Sequence, residues 1–383
     1  MRMSNMLRNG KQKKVIVYCL LVMVIALGGC TLSSPFQQSE KSKEEQKQQE
    51  EKNIKENKEE ELLTEEDKEK KKEDEIQQDK KIIEIDYERV KPNELGHIMV
   101  VMYHGIMDNP PYHRTYEDFW KDLKYMYDKG YRPISITDYV NQNITVAPGY
   151  TPIVLTFDDG LPSTFSLIKE NGSLKVNPNC AVGIMEKFYE EYPDFGKAAT
   201  FYINGHDPFE GAGTIQERFA YLLERGYDIS NHTYNHADLA TLNEQQIQEE
   251  LGKVDRMIKE MIPHYIMSTF SYPFGKRPKE EFRKWIASGS YEGHEYAYDI
   301  AFREGPSGPF IPPIHVKFEP YNVPRVRGSE GAEGDLWWYF NYYEKNPQYR
   351  YVSDGNPHRI AVPKGKENNI QQEMLQAKEV YVY

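Results

Sequence analysis

The sequence predicts an α/β fold built on a mostly parallel sheet, either closed as a barrel or open and doubly wound. Three observations predict it. From about Gly96 onward short apolar runs alternate with amphipathic stretches, and strands separated by helices imply parallel pairing with crossovers. The amphipathic stretches keep helical phase. Polar and turn-prone residues gather just after the apolar runs, at the carboxyl ends of strands where such folds carry function.

The elements follow in order. "HIMVVMYHG" (97–105) reads as a strand, and "YEDFWKDLKYMYDKGY" (116–131) as a helix with Phe119, Leu123, Met126 and Tyr127 on one face, stopping near Gly130. "PIVLTF" and "KAATFYING" are strands; "RFAYLLERGYDISNH" is a helix, a glycine stop and a strand. "LNEQQIQEELGKVDRMIKEMI" is a long helix with Ile247, Leu251, Val254 and Ile258 in phase and Thr241 as its expected cap. "MSTFSYPFG", "YAYDIAF" and "NVPRVRG" complete the strands.

The segments before this core have a different character. Residues 1–30 combine Arg2, Arg8, Lys11, Lys13 and Lys14 with an apolar run from Val15 to Leu27 and the ending "LGGC", an export signal too short for a stable span. Its ending resembles the bacterial lipoprotein box, which implies a lipid-modified Cys30 and an extracytoplasmic, membrane-anchored protein. Residues 31–95 form a tether, since Ser39 to Lys81 is almost wholly Glu, Lys, Gln, Asp and Asn and cannot bury a core. Its reach is about 40 Å as a coil or about 60 Å as a helix. The folded domain is expected over 96–330 and an aromatic-rich extension over 331–383. A net charge of −12 argues against nucleic acid as a partner. With Cys19 in the signal and Cys30 lipidated, Cys180 stands alone and no disulfide framework is available. Nothing in the composition sets an oligomeric state.

Three expected strand ends carry "DDG" at Asp158 to Gly160, "NHTYNH" at Asn231 to His236 and "YPFG" at Tyr272 to Gly275. His232 and His236, four apart on a helix or helix-like turn, bring two imidazoles to one side. Two neutral histidines and one carboxylate form a three-ligand set with open positions, the pattern of a hydrolytic metal site. The paired aspartates then take separate roles, one binding the cation while its neighbour accepts a proton. The set suits zinc, with cobalt, nickel and iron able to take the same geometry.

"TFDDG", "HTYNH" and "SYPFG" resemble, in order and spacing, the first three motifs of the NodB-type polysaccharide deacetylases, carbohydrate esterase family 4, over roughly residues 96–330. The resemblance implies a distorted (β/α) barrel and metal-dependent hydrolysis of acetamide groups on sugar polymers. It implies Asp158 as general base, Asp159, His232 and His236 as metal ligands, and Phe274, through its backbone amide, with Tyr272 as oxyanion and substrate contacts. The chain departs from the pattern in two places. Ser271 stands where the family has an arginine that orients the base, leaving Asp299 as a candidate, and the late histidine motif is missing. "VVMYHGI" resembles the poly-N-acetylglucosamine deacetylase branch, which makes His104 the candidate general acid.

The expected substrate is therefore an N-acetylated polysaccharide such as poly-N-acetylglucosamine, peptidoglycan or a chitin-like chain. An O-acetyl esterase acting on xylan or a related glycan, and a weakly active glycan-binding lipoprotein, are the competing readings. The stretch from Leu161 to Gly196 is expected to be a lid, a substrate wall or a solvated excursion. Trp337, Trp338 and Tyr339 are candidates for sugar stacking or for core packing. The last twenty residues carry no readable pattern.

Overall fold

Parallel pairing runs in a closed ring. The computed structural model describes residues 85–108, 113–305 and 308–383; the expected signal at 1–30, with Cys30, and the tether as far as residue 84 lie outside the described residues. Eight strands share the main sheet: β1 (Val100–Tyr103), β2 (Tyr131–Pro133), β3 (Thr151–Phe157), β4 (Thr200–Ile203), β5 (Asp228–Asn231), β6 (Thr269–Ser271), β7 (Ile300–Glu304) and β8 (Val323–Arg327). Seven of them run β1-β8-β7-β6-β5-β4-β3 around the ring. The ring closes where Val100 to Tyr103 lie opposite Val154 to Phe157. β2 pairs only with the first residues of β3, outside the ring. Of the two parallel architectures the chain adopts the barrel. It is distorted at the β5–β6 seam, where Asn231 opposite Phe270 is the sole paired position among the described residues.

Alternation along β3 explains both of its neighbours. Ile153, Leu155 and Phe157 join the core shared with the surrounding helices, while Val154 packs with Val100, Tyr202, Phe302 and Val323 in a separate cluster. Thr156 shares the Val154 face, and the same phase carries on to Asp158. A strand buried on both faces must be apolar almost throughout, which is why "PIVLTF" reads as one run.

The longer helices are α1 (Tyr116–Asp128), α2 (Ile136–Asn141), α3 (Ala181–Glu191), α4 (Ile215–Glu224), α5 (Glu244–Met261) and α6 (Leu336–Lys345). Two sequence expectations are corrected here. The cap of α5 is Asn243, whose side chain accepts from the Gln246 N–H while Gln246 reciprocates; Thr241 belongs to the preceding short turn, where its hydroxyl donates to the Asp238 carbonyl at 2.8 Å. The stretch from Leu161 to Gly196 is a solvated excursion only over its largely exposed hairpin. After a small hairpin, Leu167–Glu170 with Ser173–Val176, it forms α3, which buries Ala181, Val182, Ile184 and Phe188. Two adjacent parallel strands need a crossover, and this segment supplies the one between β3 and β4.

The aromatic run after residue 331 is mostly packing. α6 buries Leu336, Tyr339, Phe340 and Tyr343, and the Trp337 indole N–H donates to buried Asp122 of α1 at 2.6 Å. Trp338 stacks on Tyr342. Beyond it Arg359–Val362 pairs in parallel with Glu379–Val382, and Ile360, Val362 and Ile370 close a small core over Leu95 and Ile314.

The end of the expected tether is corrected here: Asn93 bridges to Val352, and Glu94 lies buried beneath this C-terminal layer and accepts from the backbone N–H groups of Ala361 (2.8 Å) and Asp354 (3.2 Å). Burial and the nearby Asp354 carboxylate push its carboxyl up to about 8, against the backbone donors and Lys378. A carboxyl raised in the folded state contributes stability that is complete below its unfolded value and fades as pH climbs through its folded value. The thermal midpoint should therefore fall between pH 5 and pH 8.5, and the fall should be smaller in Glu94→Gln; equal slopes by calorimetry would refute the assignment.

Candidate active site

Neighbouring residues on an extended strand point to opposite sides, so two adjacent aspartates cannot serve one site unless the backbone turns. It turns at Asp159. Asp158 keeps strand geometry, its N–H donating to the Tyr103 carbonyl at 2.9 Å. Asp159 then enters the left-handed region with φ 74°, followed by Gly160 with φ 61°. The second carboxylate swings back, and both line one cleft of about 980 Å³ at the carboxyl end of the barrel, with His104, His232, His236, Tyr272, Phe274 and Arg325.

The histidines arrive from the end of β5 on a loop, which corrects the expected helical turn. Thr233 (φ 64°) and His236 (φ 52°) are both left-handed, and this folding brings the rings to centroids 5.0 Å apart. His232 donates from Nδ1 to the Ser271 carbonyl at 2.9 Å, which turns Nε2 toward the cleft. Asp159 Oδ1 lies 3.4 Å from Nε2 of His232 and 3.4 Å from Nε2 of His236. Three ligand-type atoms thus sit within 4.8 Å of one another.

These residues fit a divalent cation. Buried Asp159 Oδ1 has no well-aligned hydrogen bond among the described residues, only the two imidazole nitrogens at 3.4 Å, a costly state for a carboxylate oxygen that a cation would complete. Ligand bonds of about 2.0–2.2 Å at tetrahedral angles separate ligand atoms by about 3.4 Å, the spacing found for both carboxylate–imidazole pairs.

Asp158 is held by a residue that sequence reasoning missed. Arg325, on β8, donates to both carboxylate oxygens of Asp158, at 2.8 Å and 2.6 Å. It also donates to Thr156 Oγ1 at 3.1 Å and Ser271 Oγ at 2.7 Å. Asp299, the residue that the sequence offers for this role, is exposed and precedes β7 at its amino end, so it cannot reach. Ser271 leaves the space that a long side chain would fill, and the guanidinium enters from a different strand. A signal was present: strand phase in "NVPRVRG" puts Arg325 on the same face as Val323, and a buried arginine requires an acid.

Electrostatics follow from this packing. Burial pushes the Asp158 carboxyl up, but Arg325, with help from His232, outweighs it and holds the group well below the usual carboxylate range. Asp159 is likewise lowered, burial opposing it and His232 prevailing. His232 is raised because Asp158 and Asp159 overcome its burial. His236 is lowered by burial and by His232.

His104, one residue beyond β1, lines the cleft. Phe274 holds φ 57° and is 57% exposed, its ring edge-on to His236 at 4.6 Å between centroids. Tyr272 is buried, its hydroxyl donating to the Tyr321 carbonyl at 3.1 Å, so it builds the wall and keeps no free hydroxyl for a ligand.

Residues 146–288 match the family model described as polysaccharide deacetylase. This segment is a polysaccharide deacetylase domain. The match contains Asp158, Asp159, His232, His236, Tyr272 and Phe274, while His104 and Arg325 fall outside it. The chain is similar to YxkH of Bacillus subtilis (strain 168), 20% identical over 267 residues, covering 68% of this chain and 83% of that protein. Among solved structures it is similar to BA0330 from Bacillus anthracis, at 22% identity and a TM-score of 0.43, covering 60% of this chain and 64% of that one. It is also similar to the deacetylase PplD of Streptococcus pyogenes, at 18% identity and a TM-score of 0.41, covering 60% and 92%.

Two variants test the local physics of the cleft. Arg325→Ala leaves the Asp158 charge buried and unpaired, and denaturant titration should show a loss of about 3–5 kcal/mol. Phe274→Asn replaces an aromatic side chain at a left-handed position with one that tolerates it, and should gain about 1 kcal/mol. A loss at position 274 would mean that ring contact with His236 outweighs backbone strain.

Proposed function

We propose that the protein is a metal-dependent N-deacetylase that acts on an extracellular polymer of N-acetylated amino sugars, with poly-N-acetylglucosamine, peptidoglycan and chitin-like chains as the substrate class. The observation that carries the reading is an Asp158 carboxylate kept ionised by Arg325 next to a separate Asp159, His232 and His236 triad with an unsatisfied buried oxygen. Such a division between base and ligand has no use in a module that only binds.

A divalent ion held by Asp159, His232 and His236, with zinc the best fit to two imidazoles and a carboxylate, would supply Lewis-acid polarisation of the acetyl carbonyl. The chain's own residues do the rest. Asp158 Oδ2 lies 3.9 Å from Nε2 of His232, so it borders the ligand set and accepts the proton of the attacking water. The Phe274 backbone N–H, on the cleft wall, donates to the oxyanion. His104 protonates the amine as the C–N bond breaks, releasing acetate and leaving a free amino sugar. Cys30 and the charged tether would hold this domain outside the membrane, within reach of an envelope polymer.

The test is acetate release by a metal-loaded form spanning residues 82–383, which form one compact unit, on N-acetylated polymers. Asp158→Asn should lower turnover by at least about 100-fold while calorimetry shows metal still bound; retained turnover would remove Asp158 from the base role. His104→Ala should damage amide cleavage far more than cleavage of an acetyl ester, because an alkoxide leaves with less need of an acid. Tight metal binding without acetate from any polymer would favour the glycan-binding reading.

A further inference from the structure

His232 and His236 are held by different means. The His232 ring is fixed by its own hydrogen bond to the Ser271 carbonyl. Among the described residues no group bonds Nδ1 of His236, and its ring is about one-third exposed. Its direction must come from the backbone of the loop, and that loop has left-handed residues at both Thr233 and His236. Such a path is stable only where its surroundings over-determine it.

What surrounds it is α5. Glu250 sits in the apolar phase of that helix, between Ile247 and Val254, and is buried. Its side chain accepts from the Asn235 backbone N–H at 2.8 Å and from Asn235 Nδ2 at 2.6 Å, and its carbonyl accepts from the Tyr234 N–H at 3.0 Å. Glu250 thus clamps the two residues immediately before His236. On the other side the Asn204 side chain donates to the carbonyls of His232 and Thr233, at 2.8 Å and 3.0 Å.

We propose that Glu250 is a positioning residue for the metal ligands, fixing the direction of His236 relative to His232 without touching cation or substrate. The inference rests on the metal reading above. A buried glutamate on the core face of a helix is expensive, and here both of its oxygens serve the short segment between two ligands. Outer partners of this kind typically change metal affinity by about 10–100-fold when removed.

The experiment titrates zinc into the metal-free full chain against a chromophoric chelator, and records the visible spectrum of the cobalt-loaded protein. Glu250→Ala should weaken zinc binding by about 10–100-fold and shift the cobalt bands, and Glu250→Gln, which keeps one acceptor oxygen, should recover part of both. Parental zinc affinity and cobalt spectrum in a folded Glu250→Ala protein would overturn the inference. Should that variant not fold, Asn235→Ala removes one clamp bond and leaves α5 intact. A several-fold loss of affinity at an unchanged metal-free melting temperature then supports the clamp, and parental affinity overturns it. A parent protein that binds no zinc would overturn the metal reading itself, and this inference with it.

Discussion

One buried ion pair organises the carboxyl end of the barrel. Asp158 cannot sit charged in the interior without a partner, and Arg325 cannot sit there without an acid. Each supplies what the other needs, and the guanidinium reaches further to Thr156 and Ser271. Four strands are joined this way: β3 through Thr156, β6 through Ser271, β8 through Arg325, and β5 through the His232 bond to the Ser271 carbonyl. The weak β5–β6 seam, with its single paired position among the described residues, is bridged by these side chains where few backbone bonds are available.

The pair also settles how the two aspartates differ. Arg325 takes both oxygens of Asp158, which stabilises its ionised form. Asp159 is left to face the two histidines. The like-charge cost of adjacent carboxylates is thereby divided between an arginine on one side and the imidazoles, with the cation they suit, on the other. Strain at Asp159, His236 and Phe274, all left-handed, belongs to the same arrangement: the site is made of turns that ordinary residues resist, held by a barrel that does not yield.

Much of this is legible in the chain alone. The strand and helix pattern and the carboxylates and imidazoles of the cleft are readable because each rests on local sequence: alternation, helical phase and short motifs within a few residues. His104 can be placed in the cleft because it stands directly after an apolar strand. The misses come from a different kind of information. Asp299 is chemically suited to orient a base, but its position before "IAF" puts it at the amino end of a strand. Thr241 is a good capping residue two positions too early, since Asn243 and Gln246 form the reciprocal pair. The stretch from Leu161 to Gly196 reads as an excursion because its hairpin is polar, which hides the crossover helix behind it.

The sequence by itself determined which residues are chemically able to act, because carboxylates, imidazoles and strand periodicity are properties of the chain read in order. Tertiary structure alone decided which of them meet. Arg325 is separated from Asp158 by most of the domain along the chain, and Glu250 serves a loop it does not adjoin in sequence. Barrel closure, which places β8 beside β1 and β1 beside β3, brings Arg325 to Asp158. No local pattern encodes that distance, because it depends on how every intervening strand pairs.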